Sequence, residues 1–267
     1  MSKFLIGTYK FLTLVYFTTV NDIRKSDGNA LRGLFREVMQ TMILLGVFYL
    51  MINVLGLRGA AVRGNFVLFL MSGIFLFMTH IKAISKIGGS GGPSNPMLKH
   101  APVSTLLLII SAALSSLYIQ MLSMCVLLLI AHVLIEPIVF YNFKGFMLCF
   151  FVAWASGAAI GLLFLALTPF LPTTMGIIST IYQRANMIFS GKMFLASTLP
   201  GYLLPMFTWN PLFHSIDQAR GYTFINYNAH VTNLTYPVVL GLTILLIGMM
   251  IEHWARKYVS ESWARRQ

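Results

Sequence analysis

The chain has 267 residues, of which 57% are hydrophobic and only 10% charged, too few charges to coat a soluble domain of that size. Its formal charge is nonetheless +12, which in a soluble protein would suggest nucleic acid as a partner. Here the basic residues gather at the ends of apolar segments, so they read as topology signals, and no nucleic-acid partner is expected.

In chain order, Lys3, Gly7, Lys10 and Thr13 come first and share one narrow helical stripe, with Phe4, Leu5, Phe11, Leu12 and Val15 elsewhere. This pattern suits an amphipathic helix lying in the membrane interface, lysines toward anionic headgroups. A short additional span is the alternative. Lys10 interrupts the apolar stretch and no small-residue cleavage pattern follows, so no cleavable signal peptide is read.

Five uncharged runs follow: Val38–Leu57, Gly64–Ile81, Ala101–Ile135, Gly145–Gln183 and Gly221–Ile251, of 20, 18, 35, 39 and 31 residues. About 20 apolar residues in a helix cross a hydrocarbon core of about 30 Å, and the runs lack the period-2 alternation of barrel strands. The fourth run accommodates two helices, divided at Leu171-Pro172-Thr173-Thr174 because proline cannot continue a helix. The expected fold is therefore an all-α integral membrane protein with six transmembrane helices, at about 36–57, 64–86, 103–134, 145–170, 175–198 and 234–252. It is read as a single domain over 1–267: an interfacial segment 1–33, a bundle 36–252 and a tail 253–267.

Six spans put both termini on one side. With Lys3, Lys10, Arg24, Lys25, Arg32 and Arg36, with Lys82, Lys86 and Lys99, and with Arg256, Lys257, Arg265 and Arg266, that side holds thirteen basic residues. The other side has five (Arg58, Arg63, Lys144, Lys192 and Arg220), so the positive-inside rule places both termini in the cytoplasm. Two connections are unusual. The run Gly88-Gly89-Ser90-Gly91-Gly92-Pro93-Ser94-Asn95-Pro96 is flexible by composition. On the far side, Thr198–Asn233 is apolar but broken by Pro200, Pro205 and Pro211 into pieces too short to span. Re-entrant helices before the last span are expected there, with an apolar extracytoplasmic loop as the alternative.

Catalytic chemistry is sparse. The glycine-rich run lacks the Lys-Ser/Thr that completes a phosphate loop, so the chain is not expected to hydrolyse ATP. The six histidines form no i, i+4 pair, and the seven acidic residues form no pair at metal-binding or acid/base spacing. No metal or cofactor is expected in this chain. His80 and His132 read as interfacial residues near span ends, and Glu136, Asp217 and Glu252 as charges at or beyond span ends. Cys125 and Cys149 lie in apolar runs and read as buried thiols without a disulfide. Arg184 is the exception, a cation placed near the middle of the fifth expected span. Such a charge either lines a route for an anionic substrate or is a structural arginine bonded to carbonyls. Gly157 and Gly161 form a GxxxG pair, expected to pack within the chain rather than as a dimer seam. Trp209, Phe213, Tyr222, Phe224, Tyr227 and Tyr236 read as an interfacial aromatic belt or, alternatively, as a stacking track for sugar rings.

Four stretches carry a resemblance to a known family. They are Asn21-Asp22-Ile23-Arg24, Ser94-Asn95-Pro96-Met97-Leu98-Lys99-His100-Ala101-Pro102, Phe189-Ser190-Gly191-Lys192-Met193-Phe194, and Trp209-Asn210-Pro211-Leu212 continuing to Asp217, Arg220 and Tyr222. Together they resemble the membrane subunits of type-2 ABC exporters of capsular polysaccharide. Asn21 stands where that family usually has arginine, Asp217 where glutamate is commoner, and the glycine-rich insert is unusual. The resemblance implies a non-catalytic permease subunit of a bacterial inner membrane, acting as a homodimer with separate ATP-binding subunits that hold ATP and Mg. Its cargo would be an anionic lipid-linked polysaccharide, with periplasmic or outer-membrane export components as further partners. A conduit would run along Arg184, Tyr182, Phe189, Trp209, Phe213 and Tyr222. Asn210, Pro211, Asp217 and Arg220 would form the extracytoplasmic motif. Asp22, Arg24, Lys86, Asn95, Pro96 and Lys99 would couple to the ATPase. Export of a lipid or drug-like molecule, or a membrane-embedded glycan-modifying enzyme, are the rival readings.

Overall fold

The computed structural model describes residues 2–25, 28–54, 65–91 and 104–264, and among these every regular element is a helix. In chain order they are α1 Ser2–Lys25, α2 Ala30–Val54, α3 Phe66–Gly88, α4 Thr105–Leu134, α5 Phe143–Leu167 and α6 Pro172–Phe189. A short 3-10 turn Ala196–Thr198 precedes α7 Pro205–Thr208, α8 Pro211–Thr223 and α9 Thr235–Ala264. The starts of these helices are chemically marked. Asn65, Ser104, Asn142 and Asn210 cap α3, α4, α5 and α8 by accepting from otherwise orphaned amides, and Pro172 and Pro211 are the first residues of α6 and α8.

Among the described residues five helices, α2, α3, α4, α5 and α9, are long and apolar enough to cross a membrane, and the architecture is that of an all-α membrane protein. α6 has 18 residues, carries Gln183, Arg184 and Asn186, and is not among them. The expected break after the fourth helix is where it was read: α5 ends at Leu167, a turn occupies Thr168–Phe170, and Pro172 opens α6. The far end of α6 differs from expectation. The helix stops at Phe189 instead of near residue 198, because Gly191 adopts φ +69° and turns the chain. A β-carbon there would meet the Phe213 ring at 2.5 Å, so the reversal needs glycine for both conformation and space.

Two helices organise the bundle. α3 is buried without interruption from Leu68 to His80, enclosed by α2, α4, α5 and α8. It meets α5 at the small-residue face. A β-carbon on Gly157 would lie 2.5 Å from the His80 carbonyl oxygen, and one on Gly161 would lie 3.0 Å from the Ile84 Cα. The GxxxG pair thus packs within the chain, as its sequence suggested. α9 lies along the other side of α5, α4 and α2 lie against α3, and α1 runs along α4. α1 buries Val15 and leaves Tyr9, Leu12, Tyr16 and Phe17 exposed. The proline-broken stretch is no open loop, since α8 docks on α3 and α5 and is buried from Pro211 to Asp217. Cys149 is buried as expected, but Cys125 is exposed, because it falls on the outward stripe of α4 with Tyr118, Met121 and Leu129. α6 makes the least contact of the long helices, touching α3 and α5 only lightly.

Because Gly157 abuts backbone rather than a movable side chain, Gly157→Ala is expected to destabilise the detergent-solubilised protein by about 1–3 kcal/mol. Gly176, with nothing within 4 Å of its would-be β-carbon, is the control. Thermal unfolding should separate the two, and equal melting temperatures for Gly157→Ala and Gly176→Ala would refute the close contact.

Candidate functional site

Charged side chains inside a bundle this apolar must find partners, because an unpaired buried charge costs several kcal/mol. At the C-terminal end of α3 those partners are carboxylates. Lys82 Nζ donates to Glu37 Oε1 (2.8 Å) and to Gln40 Oε1 (2.7 Å), while Gln120 Nε2 donates to the other Glu37 oxygen (3.1 Å). One turn on, Lys86 Nζ donates to Asp22 Oδ2 (2.9 Å), which also accepts from Ser115 Oγ (2.5 Å). α1, α2, α3 and α4 are tied together by these two clusters.

Between them lies an open cavity of about 210 Å³. Arg36 and Glu37 of α2, Lys82, Ser85 and Lys86 of α3, and Ser116 and Gln120 of α4 form most of its wall. Ser85 extends the polar surface to α6, where its hydroxyl donates to Gln183 Oε1 (3.1 Å). Arg184 is the next residue and is exposed. The result is a run of polar side chains from the cavity to the α6 arginine.

The opposite end is built differently. Asn210 caps α8 through Oδ1, which accepts from Leu212 N (3.0 Å), and its Nδ2 donates to Asn186 Oδ1 (3.0 Å) and Phe189 O (2.9 Å). Pro211 then starts α8 without needing an amide donor. Asp217 Oδ1 accepts from the Tyr227 hydroxyl (2.6 Å) and Ala196 N (3.2 Å), and Oδ2 from Thr232 (2.8 Å). Arg220 is 1% exposed and donates to three carbonyls: Gly191 (2.8 Å), Lys192 (2.5 Å) and Phe194. Its guanidinium also stacks over the Phe69 ring at 4.1 Å. The Asn-Pro, Asp and Arg positions of the motif therefore clamp the 190–199 reversal and the 224–234 return onto α8. All four side chains face protein.

Of the residues read as a conduit, Arg184 is exposed and Trp209 half-exposed at 52%. The others pack inward. The Tyr182 hydroxyl sits 3.3 Å from His80 Nε2, Phe189 packs in tilted contact with Phe207 and Trp209, Phe213 is buried, and Tyr222 covers Gly145. The six do not share one face. Of the residues read as coupling, Asp22 and Lys86 form the ion pair above and Arg24 is exposed, whereas Asn95, Pro96 and Lys99 lie outside the described residues.

Three features were not foreseen. His80 is no interfacial residue: it is fully buried, with Nδ1 3.0 Å from Ala153 O and 3.2 Å from Ser156 Oγ. A ring nitrogen facing a carbonyl must carry the proton, so Nε2 is left to accept from Tyr182. Lys192 is also buried, donating to Met187 O (2.9 Å) with its ammonium 3.6 Å from the Phe77 ring centre. Glu37 and Lys82 form an ion pair across 45 residues of sequence, a pairing that helical periodicity cannot reveal. The available signal was a lone acid at the edge of an apolar run. No protein-family model matches the chain, and no curated protein matches it in sequence.

Glu37→Leu leaves Lys82, part-buried beside the polar cavity and still bonded to Gln40, without its carboxylate and is expected to cost about 1.5–3 kcal/mol, whereas Glu37→Leu with Lys82→Met should recover part of that loss. Chemical or thermal unfolding of the two single variants and the double variant measures the coupling. Additive losses would mean that the pair contributes nothing specific.

Proposed function

We propose that this chain is the membrane subunit of a type-2 ABC exporter that moves an anionic lipid-linked polysaccharide across a bacterial inner membrane. In this reading α6 is the sixth crossing, both termini are cytoplasmic, and the helices of the 196–223 stretch are re-entrant elements that close the outer mouth. The chain works as a homodimer and is not itself catalytic. ATP and Mg belong to a separate ATP-binding subunit, which docks near Asp22, Arg24 and Lys86 and the 92–100 segment. Periplasmic or outer-membrane components would receive the polymer.

The observation that carries the reading is Arg184, an exposed cation on a face of α6 that also presents Ile177, Thr180, Ile181 and Ile188. A charge at membrane depth belongs on a protein face or a watery path. Its neighbour Gln183 connects that path to a polar cavity with three cationic wall residues. An anionic polymer passing such a surface is held by weak, repeated contacts, which a processive substrate requires. The buried motif at α8 fits a rigid outer closure.

Purification of the tagged chain from its native membrane in mild detergent should bring an ATP-binding subunit at near-equal stoichiometry. Its reproducible absence from an intact dimer would overturn the exporter reading. Arg184 is exposed, so the Arg184→Ala variant should insert and assemble normally. Its surface glycan should fall by about tenfold, the order of one lost charge-assisted contact. Normal surface glycan in that variant would remove Arg184 from the route.

A further inference from the structure

We propose that the cavity between α2, α3 and α4 is the mouth of a water-filled half-channel, which passes the Glu37–Lys82 pair and ends a turn deeper, at Thr41, Thr79 and Ser123. The proposal goes beyond the exporter reading and rests on helix register and burial alone. Its ligand is a short chain of water molecules. The wall calls for a neutral polar occupant, since Lys82 is matched by Glu37, Lys86 is matched by Asp22, and Arg36 is itself engaged. A water molecule's share of the liquid is about 30 Å³, so the 210 Å³ mouth holds several.

Register gives the direction of the polar lining. α3 and α4 run antiparallel: Asp22 joins Lys86 to Ser115, and Glu37 joins Lys82 to Gln120. The same register sets Thr79 opposite Ser123, and Phe75 opposite Leu127. Thr79, Lys82 and Lys86 are spaced three and four residues apart on α3, and Ser116, Gln120 and Ser123 four and three apart on α4. Each set therefore forms one helical stripe. On α2, Thr41 follows Glu37 by four residues. Both stripes and α2 thus lead from the cavity to three hydroxyls, each at most 2% exposed.

Buried hydroxyls need partners. Thr41 donates to the Glu37 carbonyl (2.9 Å), which leaves its oxygen able to accept. Thr79 Oγ1 is buried and has no hydrogen-bond partner among the described residues. A buried water makes about three hydrogen bonds, and the hydroxyls together with the Glu37–Lys82–Gln120 cluster offer them. Beyond the hydroxyls, Phe75 and Leu127, with Phe48 of α2, belong to the apolar core and close the passage. Water, and protons carried by it, would reach an ion pair inside the bundle from one end.

The test uses the full chain reconstituted in liposomes, with single cysteines along the route and the native Cys149 as a buried standard. Methyl methanethiosulfonate is small and passes lipid as well as water, but it reacts with thiolate, and a thiol in dry apolar surroundings stays protonated. Peptide mass spectrometry reads the rate at each site. Thr79→Cys and Ser123→Cys should react at least about tenfold faster than Cys149. Leu127→Cys, one turn past Ser123 on the same stripe, should react no faster than Cys149. Thr79→Cys and Ser123→Cys as slow as Cys149 would overturn the half-channel, and so would Leu127→Cys as fast as both. Thr79→Val, nearly the same in shape, should lower the melting temperature because the water chain loses a partner. A rise with Thr79→Val would show a dry, unpaired hydroxyl and overturn the proposal.

Discussion

The bundle depends on how closely α3 approaches α5. In lipid, helices gain little from hiding apolar surface, and their association relies on tight packing and internal hydrogen bonds. Gly157 and Gly161 supply that closeness by letting the backbone around His80 and Ile84 rest directly on α5. Enclosure of α3 follows, and with it a demand that its polar groups be answered from within, which all but Thr79 Oγ1 among its buried side chains meet. Ser72 donates to the Phe69 carbonyl, and His80 turns its protonated nitrogen to Ala153. The small residues of one helix thus dictate the polar partners of the other.

The two ends of α3 meet the same demand by opposite means. Near its start, Lys192 and Arg220 are held by backbone carbonyls and aromatic faces. Arg220 is directed at the chain reversal and Lys192 at the last turn of α6, and both are buried. Near its end, Lys82 and Lys86 are held by carboxylates from α1 and α2, around a space that remains open. Cations directed at backbone carbonyls make a clamp, even with Arg220 Nε left without a partner. Cations held by carboxylates beside an open space leave a polar cavity instead.

The apolar helices were legible because each announces itself locally, by an uncharged run and a capping residue or proline at its start. The Pro172 break needed no tertiary information. The end of α6 was misplaced because Met193, Phe194 and Leu195 continue the apolar composition past Gly191, and only the φ of that glycine ends the helix. The polar clusters were largely illegible. Glu37 and Lys82, or Asp22 and Lys86, are separated by 45 and 64 positions, and nothing local in either segment names its partner. Asn210, Asp217 and Arg220 stood out as a motif, but their inward direction is a property of packing. Arg184 was conspicuous in the sequence and is open in the structure.

α6 is where these arguments meet. It is the long helix with the lightest contacts, and polar attachments fasten it at three places: Tyr182 to His80, Gln183 to Ser85, and Asn186 with the Phe189 carbonyl to Asn210. One reaches the buried middle of α3, one the polar run beside the cavity and one the clamp. Its outward face combines Ile177, Ile181 and Ile188 with Arg184, a mixture unsuited to lipid because of the charge and unsuited to water because of the isoleucines. A face of that kind is satisfied when the apolar residues meet protein and the arginine meets a polar path between the two. In the proposed homodimer, two copies of α6 would supply both at once. The feature that disqualifies α6 as an ordinary span is then the feature that a conduit wall requires.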